Sequence, residues 1–245
     1  MKRTFFIVLV ALVTLSASAA DQPKQGFGLQ LGWAQPILRL NDPSSLYPKD
    51  SLVNTAKLNG FKFGLTYDAS YYKGFGSSIG INYTFGAAST PWAKKYPRSQ
   101  ADFPQVRDRI LYSEMEMFVD WQYKFEVAKE TYLILYTGPT IQCGIIYQSK
   151  SEEKDLDGQV TSDGVVVNRY TTDIDDMRLM RLNVTWGIGA GFQYKRYFLR
   201  GGYDFGLINP YQSQMFVTST DDRYTRGRFD QWAIKIGVYV WYEKD

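Results

Sequence analysis

The chain has 245 residues, 44% hydrophobic and 16% aromatic, with 28 Lys and Arg against 25 Asp and Glu, one cysteine and no histidine. Its formal charge of +3, about +1 once Lys2 and Arg3 are set aside, is too weak a field for a nucleic-acid binder, and that partner class is excluded. Lack of histidine removes the usual general base and the commonest transition-metal ligand together, and Cys143 alone forms no internal disulfide.

Lys2 and Arg3, an uncharged run from Phe5 to Leu15 and the small residues Ser16, Ala17, Ser18, Ala19 and Ala20 make 1–20 a secretory signal peptide, cleaved after Ala19 or Ala20. Its apolar run is too short to cross a bilayer as a helix, and no cysteine at the cleavage site invites a lipid anchor. Residues 21–245 form the mature domain, in which no apolar run approaches the roughly 20 residues of a transmembrane helix. A mean hydropathy of −0.31 does not exclude the membrane, because a membrane β-barrel dilutes its apolar residues by alternation.

Alternation is what the chain shows. Residues 26–35 set Phe27, Leu29, Leu31 and Trp33 against Gly28, Gln30, Gly32 and Ala34, and a two-residue period puts the two sets on opposite faces of a strand. Pro36, Pro43 and Pro48 mark a long loop to about residue 56. Residues 58–69 alternate Phe61, Phe63, Leu65 and Tyr67 with Lys62, Gly64, Thr66 and Asp68, and 70–74 read as a short turn. Residues 75–86 repeat the pattern with Ile79, Ile81, Tyr83 and Phe85. Pro91, Pro97 and Pro104 make 87–109 a second long loop, carrying Lys94, Lys95, Arg98 and Arg107.

Residues 111–125 oppose Met115, Met117, Val119, Trp121, Tyr123 and Phe125 to Glu114, Glu116, Asp120, Gln122 and Lys124, and a short turn follows at 127–130. Residues 131–147 are apolar on both parities at first; Leu133, Leu135, Ile141, Cys143 and Ile145 are assigned outward. The longest loop, 148–176, is acidic, with a small hairpin expected at Ser162-Asp163-Gly164. Residues 180–194 place Leu182, Val184, Trp186, Ile188, Ala190, Phe192 and Tyr194 on one parity and Arg181, Asn183, Thr185, three glycines and Gln193 on the other. A turn at Lys195 and Arg196 leads to a strand over 197–207, then a fourth long loop to about 227. Residues 231–242 close the chain, with Trp232, Ile234, Ile236, Val238, Val240 and Tyr242 outward and Ala233, Lys235, Gly237, Tyr239 and Trp241 inward.

Eight strands with long and short connections in strict alternation predict an all-β fold: an eight-stranded antiparallel up-and-down transmembrane β-barrel, four long loops extracellular, short turns and both termini periplasmic. A soluble lipocalin-like barrel would turn its apolar parity inward and its charged parity to water. Here the second parity is small and polar, with Lys62, Asp68, Glu114, Glu116, Asp120, Lys124, Arg181, Arg200, Asp204 and Lys235 as a balanced set suited to a narrow lumen that pairs its ions. Aromatic residues such as Trp33, Tyr83, Trp121, Tyr194 and Trp232 suit interfacial girdles. These features place the protein in the outer membrane of a Gram-negative bacterium, with outer-membrane lipid as its surroundings.

Tyr136-Thr137-Gly138-Pro139, the run Gly187, Gly189 and Gly191, and 202–207 (GYDFGL) with Asn209 give residues 26–242 a pattern that resembles the outer-membrane β-barrel superfamily, most of all its PorT-like branch. The resemblance implies the barrel fold and the outer-membrane location; PorT itself is tied to secretion of proteins across that membrane.

Glu114, Glu116 and Asp120 share one face and could be read as paired carboxylates for acid–base work, but a side-chain-filled lumen admits no substrate, and they are assigned to the structural network. No catalytic residue, metal site or cofactor is expected, and the chain is read as a non-enzyme. Lys154-Asp155-Leu156-Asp157-Gly158 faintly resembles a calcium loop without its closing glutamate, and a solvated loop is expected instead. Lys94, Lys95 and Arg98 could touch lipopolysaccharide phosphates, although an ordinary wet surface is the expectation. Function then falls to the loops or rim, binding an envelope or secretion partner, or to a passive barrel that supports envelope integrity.

Overall fold

A period of two becomes a strand where each backbone group finds a neighbour in register, and in the computed structural model almost every alternating segment does so. The structure describes residues 25–40, 55–72, 74–89, 92–94, 105–155, 157–161, 166–171, 179–210 and 227–243. The expected signal peptide, Lys95, Arg98 and Ser162-Asp163-Gly164 lie outside the described residues. The described residues form β1 (Gln25–Leu40), β2 (Thr55–Lys57), β3 (Gly60–Tyr72), β4 (Phe75–Ser89), β5 (Ala93–Lys94), β6 (Gln105–Ala128), β7 (Thr131–Lys154), β8 (Val160–Thr161), β9 (Val167–Asn168), β10 (Leu182–Tyr194), β11 (Tyr197–Gly206) and β12 (Gly227–Tyr242).

The long strands pair antiparallel in chain order, β1–β3–β4–β6–β7–β10–β11–β12, and β12 returns to β1, so an up-and-down sheet closes on itself. One row of partners followed around the ring from Gln25 runs through Ala69, Ser77, Trp121, Thr137, Ile188, Tyr203 and Trp232 and returns to Gln35, a stagger of 10 residues along β1. Such a shear is what tilts the strands of a closed barrel. The four short strands add to the ring's outer ends: β2 on β1, β5 on β6, and β8 and β9 on β7.

Large apolar side chains point away from the axis on every ring strand, among them Leu31, Phe61, Ile81, Met117, Ile141, Ile188, Leu199 and Ile236. The described residues contain no helix long and apolar enough to cross a membrane. Inside, the mouth opposite the tight turns is filled by an apolar cluster of Leu58, Ile110, Tyr112, Tyr147 and Leu179, with Ala88, Tyr170 and Phe229 against it. Below this cap the interior is polar.

Several boundaries differ from the reading of the sequence. β1 runs through Pro36 to Leu40. Proline is tolerated because its carbonyl accepts from the Leu58 amide at 2.9 Å, and its missing N–H falls on that side, where partnership passes from β3 to β2. β4 reaches Ser89 and β6 starts at Gln105, so the second long loop is shorter at both ends than 87–109. β7 continues to Lys154 and takes seven residues from the acidic loop. Neither 105–110 nor 148–154 alternates hydrophobically, since both lie beyond the apolar belt, and their pairing is set by the ladder alone. Ser70 to Tyr72 belong to β3 through a bulge, and Gly74 makes the turn at φ 90°.

The end of β12 also departs from expectation. Phe27 pairs with Trp241 and Gly28 with Tyr239, so Val240 is an extra residue, and the side-chain parity inverts beyond it. Trp241 therefore faces outward, 49% exposed, while Tyr242 turns in and stacks on Tyr239 with ring centroids 5.3 Å apart.

Candidate functional site: the lumenal network and its rim

The ring brings the inward charges of distant strands together in tiers. Nearest the tight turns, Asp68 of β3 is the common acceptor: Arg200 of β11 donates to it at 2.6 Å, Lys124 of β6 at 3.0 Å, and the Tyr239 hydroxyl donates as well. Arg200 also donates to Ser78 at 2.8 Å and to Gln122 at 3.1 Å, and Lys124 to Gln193 at 3.1 Å. Asp68 and Arg200 are each about 1% exposed. Ions buried this deeply need both charge partners and hydrogen bonds, and this tier supplies both.

Farther along, Glu116 of β6 takes Lys62 of β3 on both oxygens, at 2.6 and 2.8 Å, together with the amides of Gln231, Asn82 and Gln142. Gln30 donates to Asn82 at 2.6 Å and Asn183 to Gln142 at 2.6 Å, so the amides extend this tier around the ring. Between the tiers lies a cavity of about 20 Å³, bordered by Asp120, Asp204, Lys235 and Tyr136, with the Lys235 ammonium 4.8 Å from the centre of the Phe118 ring. A void of that size holds one water and no substrate.

Tyr136 reaches this level because the positions beside it are small. It lies in one row with Gly189, Gly202 and Ala233 on successive strands, and a Cβ added at Gly189 would collide with its ring. The motif residues Tyr136, Gly189 and Gly202 are thus one packing unit. On the outer face of the same strands Trp186 donates to the Thr137 hydroxyl at 2.9 Å, and that hydroxyl donates to the Gly187 carbonyl at 2.7 Å.

One expected member of the network is elsewhere. Arg181 is exposed, precedes the start of β10, donates to the carbonyls of Gly144 at 3.1 Å and Ile145 at 3.0 Å, and lies over the Tyr170 ring at 5.0 Å. The cause is a bulge: Ser113 pairs with Ile146 and Glu114 with Gly144, which leaves Ile145 outside the ladder and its carbonyl open to a donor. Without Arg181 the inward set has one more acid than base, and Glu114 Oε1 has no hydrogen-bond partner among the described residues. Glu116 accepts from Lys62, Asn82, Gln142 and Gln231, whereas Glu114 and Asp120 stand apart from that set of bonds.

Counting ionised groups alone missed the amides, Gln30, Asn82, Gln122, Gln142, Asn183, Gln193 and Gln231, and the Tyr239 hydroxyl. All occupy the inward parity, and their polarity on that parity was the available signal. In the acidic stretch the Asp155 carboxylate accepts from the backbone amides of Asp157 at 3.0 Å and Gln159 at 2.8 Å, a local turn that uses the oxygen a cation would need. Among the described residues no group of three or more His, Cys, Asp or Glu is arranged to hold a metal ion.

A scan of protein-family models gives no match to this chain, and a search of curated proteins gives none either. Among solved structures the chain is similar to Ail, the attachment invasion locus protein of Yersinia pestis, solved in complex with the heparin analogue sucrose octasulfate, at 10% identity and a TM-score of 0.34, covering 89% of this chain and 99% of that one. It is similar to Neisserial surface protein A at 13% identity and a TM-score of 0.38, covering 88% and 98%, and to a Pseudomonas aeruginosa FadL homologue at 7% identity and 0.24, covering 89% and 90%. All three scores lie below 0.5, so the closed ring of strand pairs, not the superpositions, defines the fold.

Proposed function

We propose that this chain is an eight-stranded outer-membrane β-barrel of a Gram-negative bacterium, with a plugged lumen, and that it works without catalysis, through its rim and loops, on an envelope or secretion partner. The observation that carries the reading is its inverted polarity. Phe61, Leu31, Met117, Ile188 and Ile236 are each more than half exposed, whereas Lys62, Asp68, Glu116 and Arg200 are sealed inside. Water would favour the reverse arrangement, and a bilayer favours this one. The aromatic pairs on the outer surface, Trp33 with Trp232 and Trp121 with Trp186, have the amphipathic rings that suit a membrane interface.

Among the described residues, ion pairs and an apolar cap fill the lumen, and transport is not the proposed role. The ribbon of β6 and β7 beyond the ring, with the long connections at the same end, is where a partner would be met. The test is purification of the tagged chain from its own outer membranes in mild detergent. A partner at near-equal stoichiometry, lost when a long loop is deleted from a barrel that still migrates faster unboiled than boiled, is the expected result. A heat-modifiable barrel that retains nothing would favour a passive structural barrel, the reading suggested by the ion pairs that fill the lumen.

A further inference from the structure

β6 and β7 stay paired beyond the apolar belt, from Ser113 with Ile146 out to Gln105 with Lys154. The outward side chains of this ribbon change character in one step. On β6 Leu111 is followed by Arg109 and Arg107; on β7 Ile145 gives way to Gln148 and Lys150, and Lys150 is the cross-strand partner of Arg109. Ile110 and Tyr112, on the opposite parity, are buried in the lumenal cap, which fixes the arginine face as the outer one.

The two guanidinium groups are aimed by a single carboxylate. Glu152 accepts Arg107 Nε on one oxygen and Arg109 Nε on the other, each at 2.7 Å, and Arg107 lies over the Trp92 ring at 4.5 Å. Both bonds use the inner nitrogen, and among the described residues no hydrogen bond or ion pair occupies the terminal nitrogens of either group. The Arg109 side chain is 59% exposed. Beside it opens a cavity of about 450 Å³, lined by Ala87, Leu111, Gln148 and Val166 together with Arg109 and Lys150.

A groove with an apolar floor and cations at its outer lip, placed where an outward surface passes from hydrocarbon-facing to wet, fits a ligand with an anionic head and an apolar tail. Guanidinium forks match phosphate oxygens in geometry and charge, and basic residues at a membrane edge attract anionic lipid. We propose that this groove holds the phosphorylated headgroup of an outer-leaflet lipid, with Arg109 and Lys150 on the phosphate and Leu111 and Ala87 against the start of an acyl chain. The proposal rests on the membrane reading above. It uses Arg107, Arg109 and Lys150, not the side chains of Lys94, Lys95 and Arg98.

The full chain, purified in dodecyl maltoside and checked for heat-modifiable migration, is titrated with bisphosphorylated lipid A and with chemically dephosphorylated lipid A, and bound lipid per barrel is counted by native mass spectrometry. At least about tenfold tighter binding of the phosphorylated lipid is expected, as two charge-assisted contacts supply. The Arg109→Gln, Lys150→Gln double variant should lose that preference, and Lys195→Gln at the opposite end should keep it. Equal binding of the two lipids by the unaltered chain overturns the proposal, whatever the variants do. So does complete displacement by inorganic phosphate at the lipid's own concentration, which would make this a site for free phosphate. A chain that stays folded and monodisperse without detergent, and shows no heat-dependent shift, fails the membrane reading itself, a result separable from loss of lipid preference in a folded barrel.

Discussion

Asp68 shows what a single lumenal side chain does. It is the shared anion for Arg200 and Lys124, so Asp68→Ala leaves two buried cations without their acceptor, and a loss of about 3–5 kcal/mol is expected. Arg181→Ala removes a cation that donates to two carbonyls beside the bulge and lies over the Tyr170 ring but has no buried charge partner, and a smaller loss of about 1–2 kcal/mol is expected. The two denaturant midpoints in the same lipid vesicles check the contrast; equal shifts would show that the lumenal pairs are not what holds the barrel. Steric fit is testable in the same way. Gly189→Ala presses on Tyr136 and should cost about 1–3 kcal/mol, recovered in part when Tyr136→Leu is added, because the two changes share one contact. At the rim, the Arg107 hydrogen bond holds the Glu152 carboxyl below its usual range. A depressed carboxylate stabilises the fold above its unfolded pKa of about 4.3 and loses that contribution only as pH falls through the lower folded value. The bridge between the two arginines should therefore persist at pH 5 and open only as the pH falls below the ordinary carboxylate range, followed by amide-exchange protection in 105–109.

At the scale of elements, the bulges decide which side chains face outward. Val240 inverts the end of β12, so in a Cys143→Ser background a cysteine at Trp241 should react with a membrane-soluble maleimide faster than one at Tyr242; the opposite order would restore simple alternation. The Ile145 bulge has a matching role on β7, where it redirects Arg181 and turns Tyr147 into the apolar cap. The first sits at a strand end and the second inside the β6–β7 ladder, which stays paired beyond it to Gln105 and Lys154. In the middle of the strands the two-residue period read from the sequence coincides with the exposed and buried sets, because the outward residues are mostly apolar and the inward ones mostly polar or small.

For the molecule as a whole, closure matters more than any one pair. A row of partners that advances 10 residues in a single turn of the ring brings Asp68 and Arg200, 132 residues apart, within 2.6 Å across the lumen. With two polar tiers and an apolar cap in series, the barrel should show no porin-sized conductance in a planar bilayer. A large, steady conductance from the unaltered chain would show that the tiers part in the membrane and that transport has to be reconsidered.

The sequence by itself determined where most strands run and which parity each turns outward, since alternation is a property of a strand's own residues and needs no partner to be read. It also placed Lys62, Asp68, Glu116, Lys124 and Arg200 on the inward parity. Only the tertiary structure decided which of them meet, since that depends on the stagger summed around the ring. It alone decided that amides complete the tiers, that Arg181 stands outside them, and that β6 and β7 outlast the apolar belt, because a ladder beyond that belt needs only backbone partners and leaves no hydrophobic period to read.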